Sequence, residues 1–79
     1  MNEELMLLTK VTSDSKWLQE NIDTITEKHE NEFVAVEDGD IIDSNKNLEE
    51  LIESLKKQGR KPEFILIRYI YKKGTVIIL

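Results

Sequence analysis

The sequence predicts an α+β domain in which two helices pack on one face of a small, mainly antiparallel four-stranded sheet, in the order α-β-β-α-β-β. Three observations carry this. Apolar residues recur at helical spacing in two stretches, Leu18 to Ile25 and Leu48 to Leu55. Asp38-Gly39 separates two β-prone runs, and the chain closes with two further apolar runs on either side of Lys72-Lys73-Gly74. At 79 residues the chain holds one domain, 1–79.

Taken in order, residues 1–12 mix acids with Leu5, Met6, Leu7 and Leu8 without a capping signal, and read as a short helix or as a frayed or partner-bound arm. The first clear helix spans about 14–29. Ser13, Asp14 and Ser15 are candidate caps for its free amides, and Leu18, Ile22, Ile25 and His29 share one face. Trp17 extends that stripe as a core anchor. Phe33-Val34-Ala35-Val36-Glu37 and Asp40-Ile41-Ile42-Asp43 then form a hairpin around Asp38-Gly39, a pair that tolerates the positive φ of a type I′ turn. That turn sets Val36 against Ile41 and places Glu37 opposite Asp40. The like-charge pair favours a looser register or a bulge.

The second helix runs from about 48 to 58. Asn47 caps it with Glu50 three residues on, acids occupy its first turn, Lys56 and Lys57 its last, and Gly59 and Pro62 stop it. The run from Phe64 to Tyr71 is apolar on both faces and reads as a central strand beside the first strand of the hairpin. Val76-Ile77-Ile78-Leu79 reads as a last strand, one that needs a partner or a cover.

The residues Trp17-Leu18 and Asn21, then Phe33-Val34-Ala35-Val36, Asp38-Gly39, Ile41-Ile42 and Asn47-Leu48-Glu49-Glu50-Leu51, resemble a family of short prokaryotic domains of unknown function. Its members look like a Trp-Leu helix, a VAV-x-(D/N)-G hairpin and an L-E-E-L helix, followed by a hydrophobic strand. The resemblance spans Trp17 to about Ile67 and implies a fold, with no activity, cofactor or catalytic residue.

The charge is unevenly placed. Residues 1–55 carry fifteen acids and four bases, whereas residues 56–79 carry seven bases and one acid, within a net charge of −5. Part of this follows from the charge order of the second helix; the rest makes a candidate docking surface. The overall acidity weighs against general nucleic-acid binding. No cysteine is present to support a thiolate metal site or a disulfide framework, and no apolar run approaches a membrane span. An acidic N-terminus without a following apolar stretch does not resemble a secretory signal, so a cytoplasmic setting is expected.

Known chemistries find little support. His29 is expected to cap the end of its helix, and Ser44 has no nucleophile-elbow context. Glu37, Asp38, Asp40 and Asp43 fail the calcium-loop pattern, because Asp43 stands where that loop needs glycine. Gly39, Gly59 and Gly74 lie too far apart to cradle a phosphate. Tyr69 and Tyr71 share a strand face but have no aromatic neighbour in sequence to complete a base-stacking platform.

The expectation is therefore a non-enzymatic domain with no cofactor, binding an unknown protein partner or forming a homodimer. Its candidate surface comprises Lys56, Lys57, Arg60, Lys61, Lys72 and Lys73 with Val76, Ile77, Ile78 and Leu79. The alternative is an anionic ligand or nucleic acid held by the basic segment 56–73, and a small enzyme of unknown class ranks third.

Overall fold

The computed structural model describes residues 3–74, of which 3–10 are described by their backbone. Two helices, α1 (Glu3–Glu20) and α2 (Ile22–His29), lead into strands β1 (Glu32–Glu37) and β2 (Asp40–Asn45). Helix α3 (Leu48–Lys57), a 3-10 turn (Pro62–Phe64) and strand β3 (Leu66–Ile70) follow. The class is α+β, and the described strands form an antiparallel sheet in the order β2-β1-β3. The expected fourth strand, Val76 to Leu79, lies outside the described residues.

The layering differs from the expectation. Val34 and Val36 pack with Leu18, Ile25 and Ile70, whereas Ala35 packs with Leu51, Leu55 and Ile65. Successive strand residues point to opposite faces, so α1 and α2 cover one face of the sheet and α3 the other. The result is three layers with two cores, not two helices on one face. The physical reason is visible in β1. Val34, Ala35 and Val36 have no exposed surface, so the strand needs apolar cover on both sides. Among the described strands β1 is central, and β3 pairs directly with it, as the expected place of the 64–71 run beside the first hairpin strand requires.

The first helix also departs from expectation. It begins at Glu3 and breaks at Asn21, so Ser13, Asp14 and Ser15 lie inside α1 and do not cap it. The Asn21 side-chain amide donates to the Trp17 carbonyl at 2.8 Å, competing with the backbone ladder where the helix bends. Asp14 has another task. It is 4% exposed, and its carboxylate accepts the backbone N–H of Gly39 at 3.0 Å. One helical turn further on, the Trp17 ring lies over the same glycine, where an added Cβ would sit 3.7 Å from the indole. Helix α1 therefore grips the tip of the hairpin by a charged hydrogen bond and a ring contact.

That tip has positive φ at both Asp38 (52°) and Gly39 (69°), as a type I′ turn requires. Glu37 pairs with Asp40 and Val36 with Ile41, after which Ala35 pairs with Asp43, leaving Ile42 as the extra residue of a β-bulge. Helix α3 follows its signals closely: Asn47 accepts from the Glu50 N–H at 3.1 Å, and Gly59 takes φ 78° just beyond the end. Pro62 to Phe64 turn tightly before β3, so the strand is shorter than the apolar run containing it.

Two substitutions test this arrangement. Asp14→Ala removes the acceptor of a buried hydrogen bond and is expected to lower unfolding free energy by about 1–3 kcal/mol in urea titrations. Ala35→Lys would be tolerated if one face of the sheet met water. With α3 packed there, it is expected to cost ~3 kcal/mol or more, read as loss of the cooperative unfolding transition or a large fall in its midpoint.

Candidate functional site

Among the described residues the sheet has two unpaired edges, and they differ physically. The β2 edge is interrupted by the bulge at Ile42 and bears Asp40 and Asp43. The Ser44 backbone N–H is already satisfied by Asp43 Oδ1 at 2.8 Å. Bulges, charges and spent donors are what blunt an edge against a further strand. Asp43 is itself anchored: its Oδ2 accepts from Ser54 Oγ at 2.6 Å and from Gln58 Nε2 at 2.8 Å, tying β2 to α3.

The β3 edge is less protected: it has no bulge. Leu66-Ile67-Arg68-Tyr69-Ile70 pairs with β1 in unbroken register, from Leu66 against Val36 to Ile70 against Glu32, and carries one charge. On the α1 side it borders a groove of about 520 Å³ lined by Val11, Ser15, Gln19, Leu66 and Arg68. On the other side Phe33 stands across from Tyr69, with ring centroids 4.9 Å apart, and Tyr69 meets Tyr71 at 5.0 Å. Helix α3 lies chiefly over β2 and β1, so this aromatic row borders the face it leaves open, and Tyr71 is 48% exposed. Phe33, absent from the candidates drawn from sequence, joins the row through the β1–β3 register, which no local pattern encodes.

The basic residues do not gather into one patch. Lys56 and Lys57 are exposed in the last turn of α3, and Lys61 Nζ lies 5.9 Å from the centroid of the Phe64 ring. Arg60 is engaged internally, donating from Nη1 to Glu37 Oε1 and from Nε to Gln58 Oε1, both at 3.0 Å. Lys72 and Lys73 follow Ile70, which pairs at the Glu32 end of β1, whereas the Arg60–Glu37 pair marks the opposite end. The length of β3 separates the two groups, roughly 16 Å for five residues, so one compact anion site cannot draw on all six. The terminal candidates Val76, Ile77, Ile78 and Leu79 lie outside the described residues.

His29 ends α2, and its Nδ1 lies 2.6 Å from Glu32 Oε1 across the turn into β1. His29 and Ser44 line a common cleft between α2 and β2, yet no hydrogen bond joins them. Among the described residues no three His, Cys, Asp or Glu side chains are placed to hold a metal ion, and no helix is long and apolar enough to cross a membrane.

A family model described as a family of unknown function (DUF5678) matches residues 24–73, from within α2 to the turn after β3. The chain belongs to that family. The match takes in the hairpin, α3 and β3, whereas Asp14 and Trp17, which grip the hairpin tip, precede the DUF5678 segment. No curated protein and no solved structure matches the chain. DUF5678 membership therefore assigns a family and leaves activity open.

Asp43 holds β2 against α3 and satisfies the Ser44 amide. Asp43→Ala is expected to cost about 1–3 kcal/mol of stability in chemical denaturation. It should also speed hydrogen exchange at the Ser44 amide, measured by NMR.

Proposed function

We propose that this chain is a non-enzymatic, cytoplasmic interaction domain that self-associates through the β3 side of its sheet together with the segment Val76–Leu79. The observation that carries the reading is the contrast between the two edges. The β2 edge is blunted by a bulge, two carboxylates and a spent amide, whereas β3 presents an unbroken ladder with cover available on both faces. A strand added beside β3 would meet the α1 groove on one side and Tyr69 and Tyr71 on the other. Val76-Ile77-Ile78-Leu79 has the composition for that position, being free of charge and apolar at every residue. The division of the basic residues between two ends of the sheet gives the anionic-ligand alternative less support.

Light scattering over a concentration series, at low and high salt, tests this. Association that is insensitive to salt and lost on deleting Val76–Leu79 is the expected result. Because the deletion could also unfold the domain, Ile78→Pro provides a second variant that removes a strand donor without touching the described core. If both variants remain folded and associate as the parent chain does, or if the parent is monomeric throughout, self-association by this route is wrong.

A further inference from the structure

The tip of the first hairpin carries a reactive pair of residues. Asp38-Gly39 is the one place in the sequence where glycine follows an aspartate or an asparagine. Glycine has no side chain to shield its backbone nitrogen, so the preceding carboxyl group can approach that nitrogen closely. Both residues are exposed, so water can leave and return. The reaction open to such a pair is intramolecular. The Gly39 nitrogen adds to Asp38 Cγ, forming a C–N bond, and the N–H proton departs with the carboxyl OH as water. Water then reopens the cyclic imide. Attack at the former side-chain carbonyl restores aspartate, whereas attack at the main-chain carbonyl leaves the chain running through Cβ, as isoaspartate. Reactant and product are isomers, and no oxidant, reductant or cofactor is consumed.

Geometry decides whether the ring can close. Closure requires the Gly39 nitrogen to eclipse Asp38 Cβ about the Cα–C bond. With φ 52° at Asp38 and 69° at Gly39, the tip is a type I′ turn, whose first central residue has ψ of about +30°, the mirror image of type I. In an L residue this sets the next nitrogen nearly opposite Cβ, so closure needs a large rotation about that bond. Two contacts from α1 oppose it. The Gly39 N–H donates to Asp14 Oδ1 at 3.0 Å, and Asp14 is 4% exposed. Swinging the nitrogen toward Asp38 Cγ breaks this bond and strips a buried carboxylate of its donor. The Trp17 indole packs against the same peptide, 3.7 Å from where a Gly39 Cβ would stand.

We propose that Asp38 is the site of isoaspartate formation in this chain, and that Asp14, as a positioning residue, keeps the site closed together with Trp17 while α1 holds the hairpin tip. The isomerised tip has one more main-chain atom, so the turn that presents the Gly39 amide to Asp14 is lost and the site does not reclose. The rival pair is Asp43-Ser44, where Asp43 Oδ1 accepts the Ser44 N–H at 2.8 Å. Ser54 and Gln58 hold its other oxygen, and its backbone is paired with Ala35 inside the ladder. Nothing in the proposal depends on β3 or on self-association.

The test follows isoaspartate during incubation at neutral pH, located by peptide mapping with electron-transfer fragmentation. The folded parent chain, the same chain unfolded in urea, and the variants Asp14→Ala, Asp14→Asn and Asp43→Ala are compared. The folded parent is expected to isomerise at Asp38 about tenfold or more slowly than the unfolded chain, and Asp14→Ala about fivefold or more faster than the folded parent. Asp14→Asn, which keeps an oxygen acceptor, should stay closer to the parent. Asp43→Ala lowers stability away from the tip and should leave the Asp38 rate near the parent's, which separates loss of the clamp from loss of stability. The parent comparison stands even if Asp14→Ala does not fold. Equal rates in the folded and unfolded parent, no acceleration in folded Asp14→Ala, an equal acceleration in Asp43→Ala, or modification at Asp43 in place of Asp38 would overturn the proposal.

Discussion

Val34, Ala35 and Val36 occupy consecutive positions of β1, and none of them reaches solvent. A strand alternates its side chains between two faces, so three consecutive buried residues require cover above and below. The rest of the architecture answers that requirement. Leu18 and Ile25 close one face from α1 and α2, Leu51 and Leu55 close the other from α3, and β2 and β3 satisfy the two backbone edges of β1. The small side chain of Ala35 is the one that meets α3, which lets that helix lie close to the sheet.

The polar residues near the hairpin serve the same arrangement. A type I′ turn leaves the Gly39 amide facing outward, and Asp14 reaches it from a helix twenty-five residues away. Asp43 joins β2 to α3, and Arg60 returns from the loop after α3 to meet Glu37 beside the turn. Charges that form an acidic cluster in sequence are thus distributed among separate partners in the fold. Glu37 and Asp43 flank the turn region yet bind different groups, because the Ile42 bulge resets the register between them. A small domain buries a limited share of its surface, so such long-range hydrogen bonds have a larger relative weight in fixing one arrangement of its layers.

Function follows from what these constraints leave free. One edge of the sheet is interrupted by a bulge and the other pairs in regular register along its length, so the two sides of the sheet differ physically. The two surfaces lie across the width of the sheet from one another, with β1 between them. Chemistry requiring a metal cluster has no assembled residues among those described, and the one histidine is held by a glutamate at a helix end. The family match adds membership without activity, so the geometry of the two surfaces bears the functional reading.

The sequence by itself determined the elements governed by local chemistry. Asp38-Gly39 specified the turn, Asn47 with Glu50 specified the start of α3, and Gly59 with Pro62 its end, because each acts through backbone groups within a few residues. The turn also set Glu37 opposite Asp40 and Val36 opposite Ile41, and the bulge at Ile42 lies beyond them, leaving the like charges facing each other. Tertiary structure decided what depends on contacts between distant segments. The faces covered by the helices, the β1–β3 register that brings Phe33 to Tyr69, and the use of Asp14 as a clamp instead of a helix cap all belong here. So does the division of the basic segment. Seven bases lie close together along the chain, but a strand rises about 3.3 Å per residue and carried the last of them to the far end of the sheet.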